Sequence, residues 1–367
     1  MDLMETDSSA RERILSVSDS FIPLATGDSN VTGAIFKLRS RRYLKTLPQH
    51  THGLPRYVVV KVSPYYVNSD SVTGKFTRST RPMNRTDPTN IEAHALNMMR
   101  CLILTNVCPN ICLMYKYFVC KDLPAIAEVA PSKMMSKFSQ LASSETPVVR
   151  DTAMVIVSEY ATLGSLRSVR MSRTMSVDEW RSVLFQTLYT LAVLQDMWEF
   201  RHNDLHQANI LLEVDSNKEP VIYNFMGKKF YVNKHGLDVR ITDLDWSYSP
   251  TVLENAKVTR GKSSVDARTP RQFDPHRLFN HTISSDKGEI PTEIKKFIKT
   301  LYVDEFFGKE SKYIKNYRLR KDCDLRNVPT PIDILMHSFF DPYLVQTRTK
   351  RPEVGYDKSI RDKIVGK

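Results

Sequence analysis

Two short runs hold the residues best suited to chemistry, because they set acids and an amide at the spacing that brings a hard cation and a reacting hydroxyl together. In RHNDLHQANILL, which begins at Arg201, Asp204 precedes Asn209, and the apolar Ile210-Leu211-Leu212 follows at once. A carboxylate at Asp204 can orient a hydroxyl and accept its proton. An amide at Asn209 can help hold a cation against phosphates, and a buried strand behind them keeps the spacing fixed. Further on, VRITDLDW sets Asp243 and Asp245 after a second apolar strand. Asp243 is the first choice as a carboxylate for the same cation; Asp245 is an alternative ligand or a cap on the turn.

Phosphate chemistry also asks for a fixed positive charge. Arg56 to Val62 reads RYVVVKV, a β-branched strand with Lys61 inside an apolar run. A lysine there either snorkels at an edge or is held by a carboxylate. Glu92 is the candidate partner, with a solvated glutamate as the plain alternative. Asp87 and Pro88 read as an N-cap and first helical residue, after which Ile91, Ala95, Met98 and Leu102 recur at helical spacing. Upstream, Phe21 to Leu38 reads as two short strands about a turn. Gly27 and Gly33 bracket that turn and Ile35 follows, so it is either a hairpin turn or a loop covering phosphates.

The elements that must position these residues are legible in outline. Met154 to Val157 form a buried strand, Ser158-Glu159-Tyr160 follow as a connecting segment, and Gly164-Ser165-Leu166 open a helix. Ser176 and Glu179 make a capping box. Trp180, Val183, Leu184, Thr187, Leu188, Leu191 and Trp198 then form a helix stripe leading to the Asp204 loop, which is core and not a cofactor face. Residues 121–150, polar and rich in Ser, Pro and Met, read as an inserted loop, with another near 68–86. Pro329 to Phe340 reads as a last helix and the basic stretch after Leu344 as an appended tail.

At 367 residues and 41% hydrophobic, the chain is long enough for two lobes with a sizeable core. No apolar run approaches the roughly 20 residues that cross a bilayer, and the start, MDLMETDSSARER, is polar, so an intracellular protein without a membrane partner is expected. Four of the five cysteines fall between Cys101 and Cys120 without close pairing, which favours structural thiols over a metal site. The net charge of +12 favours acidic partners, whether protein surface or nucleic acid. Basic stretches at 39–45, 309–326 and 348–367 read first as solvated faces.

The catalytic loop of protein kinases, H-R-D-x-x-x-x-N, is matched by His202, Asp204 and Asn209, with Asn203 in place of the arginine, and DLD stands where kinases carry D-F-G. With YNFMGKKFYVNKHGLDVRITDLDWS and QFDPHRLFN, the chain resembles haspin and the diverged haspin-like kinases of large DNA viruses over most of residues 20–345. The resemblance implies an α+β, two-lobed, protein-kinase-like fold: a small β-rich N-lobe over 15–160 with one main helix, a larger mainly helical C-lobe over 161–345, and tails at 1–14 and 346–367. It implies ATP and Mg2+, a protein substrate, and the cytoplasm or nucleus, of a host cell if the source is viral. Asp204 would be the base, His206 would lie near the transferred group, and Asn209 and Asp243 would hold metal. Lys61 and Glu92 would serve the phosphates, Gly27, Gly33 and Ile35 would cover the nucleotide, and Glu159 and Tyr160 would form the adenine hinge. Asp274 would open a large-lobe helix and hold the catalytic-loop backbone, and no A-P-E segment follows Trp246. Small-molecule phosphotransferases resembling aminoglycoside and choline kinases share H-x-D-L-H-x-x-N and remain an alternative, although their cationic substrates favour acidic clefts. A kinase-fold scaffold without catalysis is the third reading.

Overall fold

In a computed structural model of the protein, the described residues are 21–24, 33–39, 57–66, 87–145, 147, 149–259, 265–284, 288–320, 325 and 327–365. They have the kinase-like α+β character expected from the sequence. The described residues of Met1–Met98, Leu113–Tyr160 and Asn255–Lys262 form one compact unit, and those of Met99–Cys112, Ala161–Glu254 and Ser263–Lys367 form a second.

The first unit is built on a five-stranded antiparallel sheet. Its strands are β1 (Phe21–Pro23), β2 (Ala34–Arg39), β3 (Tyr57–Tyr66), β4 (Met114–Lys121) and β5 (Val149–Glu159), in the order β1-β2-β3-β5-β4. Burial alternates along β3 as a period of two requires. Val58, Val60 and Val62 face the core, which turns Lys61 to the opposite face, paired across the sheet with Ile35 and Ile156. Helix α1 (Ile91–Leu104) carries Glu92 in its first turn and buries Ile91, Ala95 and Leu102. Regular helix starts at Ile91, later than the sequence suggests: Asp87 accepts the Thr89 N–H at 2.8 Å and the Asn90 N–H on its carbonyl, so it organises a preceding turn.

Residues 121–150 are not an open loop. They contain α2 (Leu123–Val129) and α3 (Lys133–Ala142), capped by the Asp122 and Ser132 side chains. Leu123, Ile126, Met135 and Phe138 join the same apolar core as β2 and β3. Both helices are short, and the Ser, Pro and Lys residues around them leave a weak periodic signal.

In the second unit, Ser165 caps α4 (Leu166–Ser172) and the expected box of Ser176 and Glu179 caps α5 (Val177–Trp198), whose stripe from Trp180 to Trp198 is buried. Strand β6 (Gly164–Ser165) pairs with β7 (Ile210–Val214), which pairs antiparallel with β10 (Leu237–Ile241). Between them β8 (Val221–Phe225) and β9 (Lys228–Val232) make a hairpin. Helices α6 (Phe273–Ser284) and α7 (Thr292–Leu301) follow, then a two-stranded ribbon of β11 (Ile314–Lys315) and β12 (Arg318–Leu319). The expected last helix is short, α8 (Pro331–Leu335), and a 3-10 turn with Pro342 inside covers Ser338–Leu344.

The segment after Leu344 is not a loose appendage. Strand β13 (Val354–Tyr356) pairs parallel with β8, Val354 and Tyr356 are buried, and the Tyr356 hydroxyl donates to Asp196 at 2.6 Å. Helix α9 (Lys358–Val365) follows. The alternation of apolar and polar residues over three positions is too short to stand out among surrounding charges.

Arg351 also joins a buried charge network, reaching Asp215 at 2.9 Å. Lys234 lies 2.5 Å from Asp238 and 3.8 Å from Asp215, and Arg240 lies 2.8 Å from Asp238. Burial alone would raise the Asp238 pKa, but Arg240 and Lys234 outweigh it and bring it down to about 2. A folded-state value below the ordinary one stabilises the fold fully above about pH 4, and that contribution is lost as the pH falls toward about 2. Asp238→Asn should therefore flatten the melting temperature against pH over this window and lower neutral-pH stability by on the order of 2 kcal/mol. An acid limb as steep as the wild type's would show that Asp238 does not carry it.

Candidate active site

In the first unit the expected lysine–glutamate pair is formed: Lys61 Nζ lies 2.6 Å from Glu92 Oε2, with side chains only 12% and 9% exposed. The pleat aims Lys61 away from the core, and Glu92 on the first turn of α1 meets it. Gly33, just before β2, cannot carry a side chain here. A Cβ would lie 2.6 Å from Ser63 Oγ and 2.9 Å from the Val62 carbonyl, so the chain crosses β3 at close quarters beside Lys61. Ile35 pairs with Lys61 in register. Gly27 lies outside the described residues. Glu159 ends β5 and turns its carboxylate back to the Leu113 N–H at 2.7 Å, while Tyr160 and Tyr57 flank the Lys37 ammonium, each ring centroid 4.1 Å away.

In the second unit the loop after α5 is fixed from three sides. The Asp274 carboxylate, at the start of α6, accepts the backbone N–H of His202 at 2.7 Å and of Asn203 at 2.8 Å, so it holds the loop backbone as expected. His202 Nε2 donates to the Thr242 carbonyl at 2.9 Å. Leu205, Ile210 and Leu212 are buried and anchor the loop in the core. The β7–β10 ladder then continues past its last pair, since Thr242 N–H donates to the Asn209 carbonyl at 3.1 Å. That bond sets Asn209 beside Thr242-Asp243. The Asn209 side-chain nitrogen donates to the Asp204 carbonyl at 3.0 Å, which assigns the hard oxygen of this amide, Oδ1, to the other direction. Asp243 is half-buried with φ 62°, a left-handed conformation that aspartate tolerates, and Asp245 is buried.

Asn203 also adopts a left-handed backbone, φ 64°, and its amide nitrogen donates to the Trp246 carbonyl at 3.0 Å. Asparagine is one of the few residues that enters this region readily, which gives a local reason for its type. His206 caps the short turn over Gln207–Asn209, accepting the Ala208 N–H on Nδ1 at 3.3 Å, and its Nε2 stands 3.8 Å from Asp204. Its ring stacks on His281. The Asp204 carboxylate is engaged from another direction as well: Arg318 donates to Oδ1 at 2.8 Å and Arg277 at 3.2 Å.

Parts of the chain are similar to several curated sequences. A candidate serine/threonine-protein kinase of Acanthamoeba polyphaga mimivirus is 28% identical over 199 residues, 50% of this chain and 42% of that protein. A second candidate serine/threonine-protein kinase of the same virus is 29% identical over 182 residues, 48% and 39% of the two chains. Haspin of Bos taurus, a serine/threonine-protein kinase, is 29% identical over 146 residues, 38% of this chain and 18% of haspin. The chain is related to the haspin-like protein kinases. No protein-family model matches it, and its matches span less than half the length of each of these relatives. Among the described residues no helix is long and apolar enough to cross a membrane.

The electrostatics around Asp204 in this haspin-like chain are dominated by arginine. Burial alone would raise the Asp204 pKa, but Arg277 and Arg318, followed by His206 and His202, outweigh it and hold the group below the ordinary carboxylate value. His206 is pushed down by burial against the opposing pull of Asp204, so it favours the neutral ring. Neither arginine stands out in the sequence. Arg277 had a usable signal, since it lies one turn beyond Asp274 on the same helix face, but Arg318 comes from a ribbon remote in sequence and gives no local sign.

Proposed function

We propose that the protein is a serine/threonine protein kinase that transfers the γ-phosphate of ATP to a protein hydroxyl. The observation that supports this reading is the Thr242–Asn209 backbone bond, which brings Asn209, on the loop that bears Asp204, next to the strand end that Asp243 follows. In the reaction the acceptor oxygen bonds to the γ-phosphorus, the bond to the β-phosphate oxygen breaks with its electrons leaving on ADP, and the hydroxyl proton passes to Asp204. His206, near the transferred group, steadies its charge through the Nε2 side of the ring.

Asn209 Oδ1 and Asp243 would hold Mg2+, and their hard oxygens suit an ion that keeps several waters and phosphate oxygens of its own. That ion supplies charge neutralisation at the phosphates. The half-buried Asp243 is better suited to this than the buried Asp245. Lys61 offers its ammonium to the phosphates while Glu92 keeps it oriented. Gly33 and Ile35 cover the nucleotide, with Gly27 as a further candidate, and Glu159 and Tyr160 form the adenine hinge. The hinge contacts would come from backbone, since the Glu159 carboxylate is spent on Leu113.

A melting-temperature assay with ATP, with and without Mg2+, tests nucleotide binding, and labelled ATP offered to a protein panel, an aminoglycoside and choline tests the acceptor. The expected result is Mg2+-dependent stabilisation and label in protein. Label in the small cations would make the chain a small-molecule phosphotransferase, and no nucleotide effect would leave a scaffold.

Activity should not depend on phosphorylation of the segment from Leu244 to Phe273. In regulated kinases the arginine before the catalytic Asp pairs with the added phosphate. Here Asn203 cannot make that pair, and its amide already ties the loop to Trp246. Phosphatase-treated bacterial protein should keep its rate, and a large loss restored by rephosphorylation would refute the idea.

A further inference from the structure

Arg201, the residue just before His202, is 4% exposed, and its backbone and side chain serve two different stretches of the chain. Its backbone makes an antiparallel bridge with Tyr248: the Arg201 N–H donates to the Tyr248 carbonyl at 2.9 Å, and the Tyr248 N–H donates to the Arg201 carbonyl at 2.9 Å. The guanidinium lies over the Tyr248 ring, 4.8 Å from its centroid, and also meets the turn at 266–269. There it donates to the carbonyls of Thr269, of Ala267 at 3.1 Å and of Asp266 at 3.4 Å. The turn holds its own shape, since the Thr269 N–H donates to the Asp266 carbonyl at 3.0 Å and the Asp266 N–H donates to the Thr269 hydroxyl at 2.8 Å. Its carbonyls converge on one guanidinium, whose planar fork can meet several acceptors at once.

This turn stands directly before α6. The Phe273 N–H donates to the Pro270 carbonyl at 3.1 Å, and Asp274 follows. Asp274 accepts the N–H groups of His202 and Asn203, the two residues that separate Arg201 from Asp204. The contacts therefore close a ring, from the Arg201 side chain to the turn, along a short stretch of chain to Asp274, and back to the loop one residue past Arg201. Burial works against the Arg201 charge, and Asp274 is the group that most opposes this, so charge couples the two sides of the ring as well. A displacement of about 1 Å at a reacting group costs about a hundredfold in rate, so a loop that bears the base needs this kind of fixing. Resting on the kinase reading above, we infer that Arg201 is a positioning residue for phosphoryl transfer, which ties Tyr248 and the turn at 266–269 to the loop and so holds Asp204 at its working position. Regulated kinases give such ordering to a phosphate on the segment.

The test compares Arg201→Lys and Arg201→Met with the wild type, using the acceptor that the wild type labels best in the protein panel. Lysine keeps the charge but has no fork. Arg201→Lys should therefore keep most of the melting temperature and lose about tenfold or more in kcat, with the KM for ATP and the melting shift given by ATP and Mg2+ unchanged. Arg201→Met should lose more. Hydrogen exchange separates positioning from general weakening: in Arg201→Lys the amides of 266–269, His202 and Asn203 should exchange faster, while those in the core of α5 stay as slow as in the wild type. An Arg201→Met that fails to fold leaves the lysine variant and its exchange pattern to decide. An unchanged kcat in Arg201→Lys overturns the inference. So does an equal loss of kcat, ATP affinity and α5 protection, which would make Arg201 a general support of the fold. Both of these outcomes keep the kinase reading, whereas a wild type that labels no protein overturns that reading and the positioning role with it.

Discussion

Asp204→Asn is expected to lower phosphoryl transfer by about two to four orders of magnitude while the protein stays folded, because the amide cannot take the proton. The loop does not depend on that carboxylate for its shape. Asp274, Thr242 and the Asn209 amide hold its backbone through groups the substitution leaves in place. The variant still presents an oxygen to Arg277 and Arg318 but no charge, so stability should fall by on the order of 2 kcal/mol without loss of the circular dichroism spectrum. Turnover near that of the wild type would remove Asp204 from the reaction and with it the kinase reading.

Lys61→Met is expected to reduce turnover by about two to three orders of magnitude, the scale of losing one preorganised charge at developing negative charge. From sequence alone the change looks neutral for stability. The 2.6 Å contact with Glu92 modifies that expectation, because both side chains are nearly enclosed and the glutamate loses its ammonium. Glu92→Gln added to Lys61→Met should therefore restore much of the melting temperature and none of the activity. Measured together, the two quantities separate a charge that acts on phosphate from one that only satisfies Glu92. Full activity in Glu92→Gln alone would show that Lys61 needs no such partner.

What could be read in advance follows the range of the interactions involved. The α5 stripe, its capping box and the β-branched runs of β3, β7 and β10 are patterns within a few residues, and each became the expected element. The Lys61–Glu92 pair and the Asp274 grip on the loop act between distant residues; the first was legible because a buried lysine demands a partner, the second only because the resemblance to haspin-like kinases implied it. Arg277 and Arg318 were not, since nothing near either residue says which carboxylate it meets. Helices α2 and α3 were hidden because they are short, 7 and 10 residues, and are set in a stretch rich in Ser and Pro. Asn203 read as the loss of a cation. Its left-handed backbone and its bond to Trp246 show a residue fitted to its position.

The pairing of β13 with β8 bears on the order in which the second unit is assembled. The β8–β9 hairpin is local and forms quickly, but the strand that covers its outer side comes from far along the chain, and the Tyr356–Asp196 bond beside it joins residues 160 apart. Closing so large a loop is entropically slow compared with forming a hairpin. Until it closes, β8 presents a row of unsatisfied backbone groups flanked by apolar side chains, a template on which another chain can add a strand. Refolding in dilute solution and refolding at high concentration therefore lead to different products, because the same edge is claimed either by the chain's own β13 or by a neighbour.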